Sequence, residues 1–407
     1  MRSPSSYLIN LLSVMALVGT ATTWPLTIGP SAASILFLAA GLVFSLSLAF
    51  LPRPVSNPFL RPLKDVWAFV AMGCGMLLSH VLSARVMDAS PLRYEDADMI
   101  PILQAMAHRF LAGDWRALYD PIPEIWAGVQ PIYLPFLWLP FTAAELFHFD
   151  PRWVTVAGIW VAAVLVLVFL DLRKGISGWL LLYLLYALMR HLHTDPTHNV
   201  IRLTEEGVVY AWYALLAWAL VSRYDWLLGL AFSACLLSRY SAMGAFPAIL
   251  LWRVLQGRWR SAVVISAIPV VLVLLSVLAF GREAIAPFTS LPAKYIDHAR
   301  WVWTKNPDYM TGGLGLAKFF GPDHLVLQHS LLVWVSLLLP SLVATGVWLA
   351  GRRLKISIPN LETALVMLSL VCFHALVVVP YDYLFFTPVF FALVVSAMQQ
   401  SGRHDVL

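Results

Sequence analysis

Runs of about twenty apolar residues recur from one end of this chain to the other, and no other feature restricts its fold as much. A helix of roughly 20 apolar residues crosses the hydrocarbon core of a bilayer. Segments 7–24, 31–51, 65–84, 152–170, 176–190, 205–222, 226–238, 240–255, 261–280, 326–350, 360–380 and 382–399 read as such runs. A transmembrane β-barrel would instead alternate polar and apolar residues over segments of about ten, and that pattern is absent. The expected fold is an all-α polytopic membrane protein, a single transmembrane domain over 1–407 with about twelve crossings. Segments 226–238 and 240–255 are short, which suits tilted helices or helices covered by neighbours rather than lipid.

Charge sets the orientation. The net charge of +5 reflects Lys and Arg in short loops, which favour the cytoplasmic side, rather than a nucleic-acid surface. Arg53, Arg61 and Lys64, then Arg173 and Lys174, then Arg253, Arg258 and Arg260, then Arg352, Arg353 and Lys355 form four such clusters. Placing them inside puts two long loops, 85–130 and 281–325, outside, with both termini inside. Segment 130–147 looks like a further span, but Pro131, Pro135 and Pro140 interrupt it. Proline costs a helix interior about 3 kcal/mol. The segment therefore reads as an interfacial or re-entrant element, extending the first outer region to 85–147. The N-terminal apolar run is followed at once by another, so it reads as an uncleaved anchor rather than a signal peptide. Cys74, Cys235 and Cys372 lie inside apolar runs, so neither a disulfide nor a cysteine metal set is expected.

The first outer loop opens with "YEDADMIPILQAMAHRFLAGDW", 94–115. Ile100, Leu103, Met106, Ala107, Phe110 and Leu111 recur at helical spacing, and Gly113 is placed to end the helix. This predicts an amphipathic helix in the outer interface. Asp98 stands just before it, either as an N-cap or as a reactive carboxylate, and cap geometry would hold a catalytic group rigidly. Glu95 reads as a solvated charge. Asp96 is either that or a helper, and with Asp98 it forms an Asp-x-Asp able to hold a divalent ion.

A long outer loop, an acid soon after a span, an amphipathic helix ending in "LAGDW", then "ALYDP" and the Pro-rich "QPIYLPFLWLP" resemble the GT-C superfamily of membrane glycosyltransferases. The resemblance is greatest to polyprenol-phosphate-sugar-dependent bacterial mannosyl- and arabinosyltransferases. It covers the loop best and the order of spans to about 260, although two spans rather than one precede the span leading into the loop. It implies that Asp98, at the family's spacing before Gly113, is the general base. It also implies a polyprenyl-phosphate-linked sugar as donor, a lipid, glycan or protein hydroxyl as acceptor, and an active site on the outer face of the bacterial inner membrane. Such a donor already carries a good leaving group. The reaction then needs a base for the acceptor hydroxyl and cations for the departing phosphate, and a single displacement inverts the anomeric carbon. No particular cofactor is expected, and a divalent cation on Asp96 and Asp98 is an option that relatives differ on.

Arg239, between two short apolar pieces, is the first candidate for the phosphate. An intramembrane arginine is a functional-site hypothesis by default, and its bland alternative is snorkelling to the interface. The second outer loop adds Lys294, His298 and Arg300, with Trp301 as a stacking surface or an interfacial anchor. His191, His193 and His198 with Asp195 form a third polar patch, where H-x-H spacing alone is weak evidence for zinc. Glu205 or Glu206 would face the site if the resemblance extends there, or else favour a helix N-terminus. Tyr381, in the turn before the last span, is a candidate site wall. The rival readings are a transporter or flippase of lipid-linked saccharides, which needs a polar path at mid-membrane, and another lipid-modifying transferase using the histidines.

Overall fold

The computed structural model describes residues 4–54, 66–126, 128–195, 200–222, 224–354 and 358–401. The described residues are overwhelmingly helical, and a single β-bridge joins Ile122 to Val129. The main helices are α1 (Pro4–Ala21), α2 (Pro30–Phe50), α3 (Val66–Ala89), α4 (Met99–Leu111), α5 (Arg152–Phe169), α6 (Ile176–Thr194) and α7 (Glu206–Val221). They continue with α8 (Asp225–Leu236), α9 (Ala245–Leu255), α10 (Trp259–Phe280), α11 (Ala286–Lys305), α12 (Leu325–Leu354), α13 (Leu361–Leu376) and α14 (Phe386–Ser401). Each of the twelve apolar segments coincides with one of these helices. Six, namely α2, α3, α5, α10, α12 and α14, contain a stretch long and apolar enough to cross a membrane. The apolar helices α1, α7, α8, α9 and α13 are shorter.

Burial separates the inside of the bundle from its lipid face. In α14, 89% of the spanning window is buried, against 11% in α3 and 22% in α10 and α12. An all-round apolar helix with little burial must face hydrocarbon, so α3, α10 and α12 form the periphery. Helices α7, α13 and α14 fill the centre, where Tyr210, Tyr213, Phe385, Phe386, Phe390 and Phe391 are fully buried. Helix α7 packs against α5, α8 and α14, and α13 against α2 and α12.

Lipid offers no hydrophobic drive between helices, so close approach comes from small residues. A Cβ on Gly158 of α5 would lie 2.2 Å from the Gly207 carbonyl oxygen, and one on Gly207 only 1.9 Å from that of Thr155. At the same crossing the Thr155 hydroxyl donates to the Thr204 carbonyl at 2.7 Å. This crossing fixes the N-terminal end of α7, which begins at Glu206.

The Pro-rich segment does not cross as one helix. It breaks into short helices at Pro135–Trp138, Leu139–Phe141 and Thr142–Phe147. Its Phe136 N–H donates to the Leu237 carbonyl at 2.9 Å, and Trp212 Nε1–H of α7 donates to the Phe136 carbonyl at 3.0 Å. The region read from sequence simply as a second outer loop contains the 20-residue helix α11. Ala299 and Val302 of α11 pack with Met310, Ala317, Leu325, Val378 and Val379, docking α11 over the turn before α14.

Candidate active site

The site grows from a break in the bundle. Helix α8 ends at Leu236 and α9 starts at Ala245, and Arg239 lies in the irregular stretch between them. Unwound backbone at membrane depth is tolerated where protein satisfies it or it lines a cavity. Both conditions hold. The Leu237 carbonyl accepts from Phe136, the Ser241 carbonyl accepts from Ser369 Oγ at 3.1 Å, and Ser241 Oγ pairs with Tyr213 OH at 2.7 Å.

Arg239 Nη2 donates to Glu205 Oε1 at 2.6 Å and to Glu206 Oε1. The two carboxylates are buried at the N-terminus of α7, while 26% of the Arg239 side chain stays exposed. A charge in this setting needs partners, and two acids around one arginine supply more than enough. The pairing uses one nitrogen of five N–H donors. Arg239 Nε–H is buried and makes no hydrogen bond, as are Glu205 Oε2 and Glu206 Oε2. Arg239 also lines a groove of about 420 Å³ whose walls are mainly apolar, including Leu137, Met243, Leu332, Leu337 and Phe373.

Asp98 lies at the N-cap position of α4, and its carbonyl accepts from Ile102 N at 2.9 Å. The side chain makes no capping bond, so capping does not hold the carboxylate as the sequence suggested. Its own backbone N–H, the nearby His298 imidazole and a hydrogen bond from Trp126 act on it instead. Burial raises the Asp98 carboxyl above its ordinary value, and these three neighbours offset part of the rise. Burial also lowers the His298 imidazole, opposed by Asp98, so His298 is mainly neutral at pH 7. His298 Nε2 pairs with Tyr381 OH at 2.9 Å, its ring stacks on Trp301, and Tyr381 stacks on Tyr383. Buried Tyr133 lies within electrostatic reach of Asp98, Glu205, Arg239 and Tyr381.

Local sequence explains these positions. Helix α4 buries Ile100, Ile102, Leu103, Met106 and Ala107. It ends through Gly113 at φ +79°, where Asp114 N–H returns to the Arg109 carbonyl. Arg109 then gathers the Ala117, Asp120 and Pro121 carbonyls. The Ile122–Val129 bridge closes the next turn, and Trp126 adopts φ +48° within it. A non-glycine residue in that region is held there at a cost.

The remaining candidates fall in different places. Asp96 is exposed and lines a separate cavity of about 310 Å³ with Arg93 and Arg202. Lys294 reaches Gln130 Oε1 at 3.4 Å, and exposed Arg300 pairs with Asp297 at 3.0 Å. Trp301 is 54% exposed. His191 pairs with Asp195 at 3.2 Å. His193 is buried with both ring nitrogens engaged, by Ser79 Oγ at 2.5 Å and the Met189 carbonyl at 2.7 Å, and Trp160 donates to the same hydroxyl. Neither ring nitrogen of His193 contacts Asp98 or Arg239. His198 lies outside the described residues. Among the described residues, no three His, Cys, Asp or Glu side chains gather where a metal ion could be held.

A family model of glycosyltransferases matches residues 131–380. The chain belongs to glycosyltransferase family 87. It is thus a membrane glycosyltransferase, with a sugar donor and an acceptor as substrates. Comparison with curated proteins and with solved structures gives no match. The family 87 region takes in Tyr133, Glu205, Glu206, Arg239 and His298, whereas Asp98 and Trp126 precede it. Sequence reasoning missed Trp126 and Tyr133. Tyr133 stands in the quoted "QPIYLP", but Trp126 carries no signal beyond being one of 17 tryptophans.

Proposed function

We propose that this family 87 enzyme moves a sugar from a polyprenyl-phosphate carrier to a hydroxyl of a lipid, glycan or protein. The reaction takes place at the outer face of a bacterial inner membrane. The observation that carries the reading is Arg239, held by two buried acids, on the wall of an apolar groove and within the same electrostatic neighbourhood as Asp98. An apolar groove suits a polyisoprenyl tail, and a buried guanidinium donor suits its phosphate.

In this reading Glu205 and Glu206 hold the guanidinium in place before the donor arrives, and the remaining Arg239 donors meet the phosphate. Lys294 and Arg300, more exposed, draw the anion toward the site. Asp98 takes the proton of the acceptor hydroxyl as its oxygen bonds to the anomeric carbon. The bond from that carbon to the phosphate oxygen breaks, its electron pair leaves with the polyprenyl phosphate, and configuration inverts. The Trp126 hydrogen bond aims the carboxylate. Neutral His298, paired with Tyr381, offers a hydrogen-bonding wall for the sugar rather than a second cation.

The test is a panel of polyprenyl-phosphate sugars and nucleotide sugars offered to the purified protein in nanodiscs, read by mass spectrometry. The reading expects polyprenyl phosphate and glycosylated acceptor in equal amounts, from the lipid-linked donors alone. Transfer from nucleotide sugars would remove the donor assignment. Movement of intact lipid-linked sugar across proteoliposomes without cleavage would replace it with a transport function.

A further inference from the structure

A second built site occupies the opposite end of the bundle. Helix α7 runs from Glu206 in the candidate active site to Leu220 at this end, about 21 Å away at 1.5 Å per residue. Here a cavity of about 470 Å³ is lined by Arg53, Gln256, Arg258, Asn360, Glu362 and Thr363. Apolar Trp252 and Ile358 form part of its wall. The glycosyl-transfer chemistry uses none of these residues.

Asn360 marks the cavity as a ligand site. It occupies the N-cap position of α13, a 16-residue helix, yet its side chain does not cap it. Its Oδ1 accepts from the Thr363 hydroxyl at 2.8 Å, while its Nδ2 has no partner although the residue is only 3% exposed. A buried amide donor without an acceptor is disfavoured unless a ligand supplies one. Around it stand the free N–H groups of the α13 N-terminus, which favour anions.

Charge points the same way. Arg53 Nη2 donates to the Leu220 carbonyl and, at 3.3 Å, to the Ser222 carbonyl. The Glu362 carboxylate is engaged by Arg253 Nη2 at 2.6 Å and lies 4.0 Å from Arg53. Arg253 also bonds Asp225 at 3.2 Å. Arg53, Arg253 and Arg258 thus face Glu362 and Asp225 within one electrostatic neighbourhood, three positive charges against two negative. One positive charge is left over, beside an unpartnered amide.

We propose that this cavity binds a phosphate group, supplied by the headgroup of an anionic phospholipid, with Asn360 Nδ2, Arg53 and Arg258 as its donors. Basic pockets between helix ends on the Arg-rich side of a membrane protein suit such headgroups, and Trp252 and Ile358 suit the glycerol and upper acyl carbons. Free phosphate is the other source of the same chemistry.

Native mass spectrometry of the delipidated full chain tests this, with phosphatidylglycerol, phosphatidylcholine and inorganic phosphate as separate probes. Phosphatidylglycerol should bind at least about ten-fold tighter than phosphatidylcholine, the scale of one charge-assisted hydrogen bond. Asn360→Asp keeps the Thr363 contact but turns the donor into an anion, and Arg258→Gln changes only an exposed side chain. Each should abolish the preference, while Arg282→Gln, at an exposed arginine of the outer loop, should not. Saturable phosphate binding lost in Asn360→Asp, without any lipid preference, supports the site and assigns it to free phosphate. Equal binding of both lipids with no phosphate binding overturns the proposal. So does an unchanged preference in both variants.

Discussion

Gly207→Ala tests whether the α5–α7 crossing positions the site. The added Cβ would lie 1.9 Å from the Thr155 carbonyl oxygen and 3.0 Å from its Cα, whereas ordinary contact begins at 3.4 Å. Both neighbours are backbone atoms, so no side chain can swing aside. The two helices must part by about 1.5 Å, the difference between 3.4 and 1.9. Overpacking of this kind costs about 1–3 kcal/mol, and it loosens the Thr155–Thr204 hydrogen bond at the same place. Glu206 is the neighbouring residue, so the shift reaches the acids that hold Arg239. A misplacement near 1 Å can cost about 10²-fold in rate. Thermal unfolding in detergent should therefore show a lower midpoint, and glycosyl transfer should fall by about two orders of magnitude. Gly73→Ala in α3 is the matched control, because nothing lies within 4 Å of its added Cβ. It should gain about 0.5–1 kcal/mol from helix propensity. A Gly207→Ala protein that melts and reacts like the parent, or a Gly73→Ala protein equally damaged, would refute the reasoning.

Transfer should fall as pH drops through the Asp98 pKa, which burial holds above the ordinary carboxylate value. The Trp126 hydrogen bond lowers that pKa, so Trp126→Phe should move the acidic limb of the pH–rate profile to higher pH; an unmoved limb would separate Trp126 from Asp98. Arg239→Leu strands two buried carboxylates and should cost about 3–5 kcal/mol of stability, part of which adding Glu206→Gln restores in a double-mutant cycle. His193→Ala breaks the contacts to Ser79 and Met189 and should lower the melting midpoint by the equivalent of about 1–3 kcal/mol, with the donor KM unchanged; a raised KM would place His193 at the site.

The sequence carried the helices well because each apolar run must find lipid or protein along its whole length. Prolines 131, 135 and 140 announced the break of 130–147 into short pieces, and Gly113 announced the end of α4. Helix α11 was not legible, because its exposed, charge-bearing face hides the few residues, Ala299 and Val302, that dock it. At the site, Asp98 and Arg239 stood out as charges where apolar residues prevail. Of the partners around them, Glu205 and Glu206 were legible only as candidates to face the site, without their pairing to Arg239, and Trp126 was not legible at all. Trp126 meets Asp98 only through a turn closed by the Ile122–Val129 bridge, and both Glu205 and Glu206 reach Arg239 across 34 and 33 residues. The H-x-H histidines stood out as well, yet His193 has both ring nitrogens committed to helix contacts.

The central claim is that Asp98 is the base for a sugar leaving a polyprenyl phosphate. Asp98→Asn keeps the shape and removes the basic oxygen, so a single-turnover assay with a saturating lipid-linked donor isolates its role. The account predicts donor binding within about two-fold of the parent, well under the 1.4 kcal/mol that marks a ten-fold change, and transfer lowered by about 10²-fold or more, the range of general-base catalysis. Transfer at the parental rate by Asp98→Asn would contradict it.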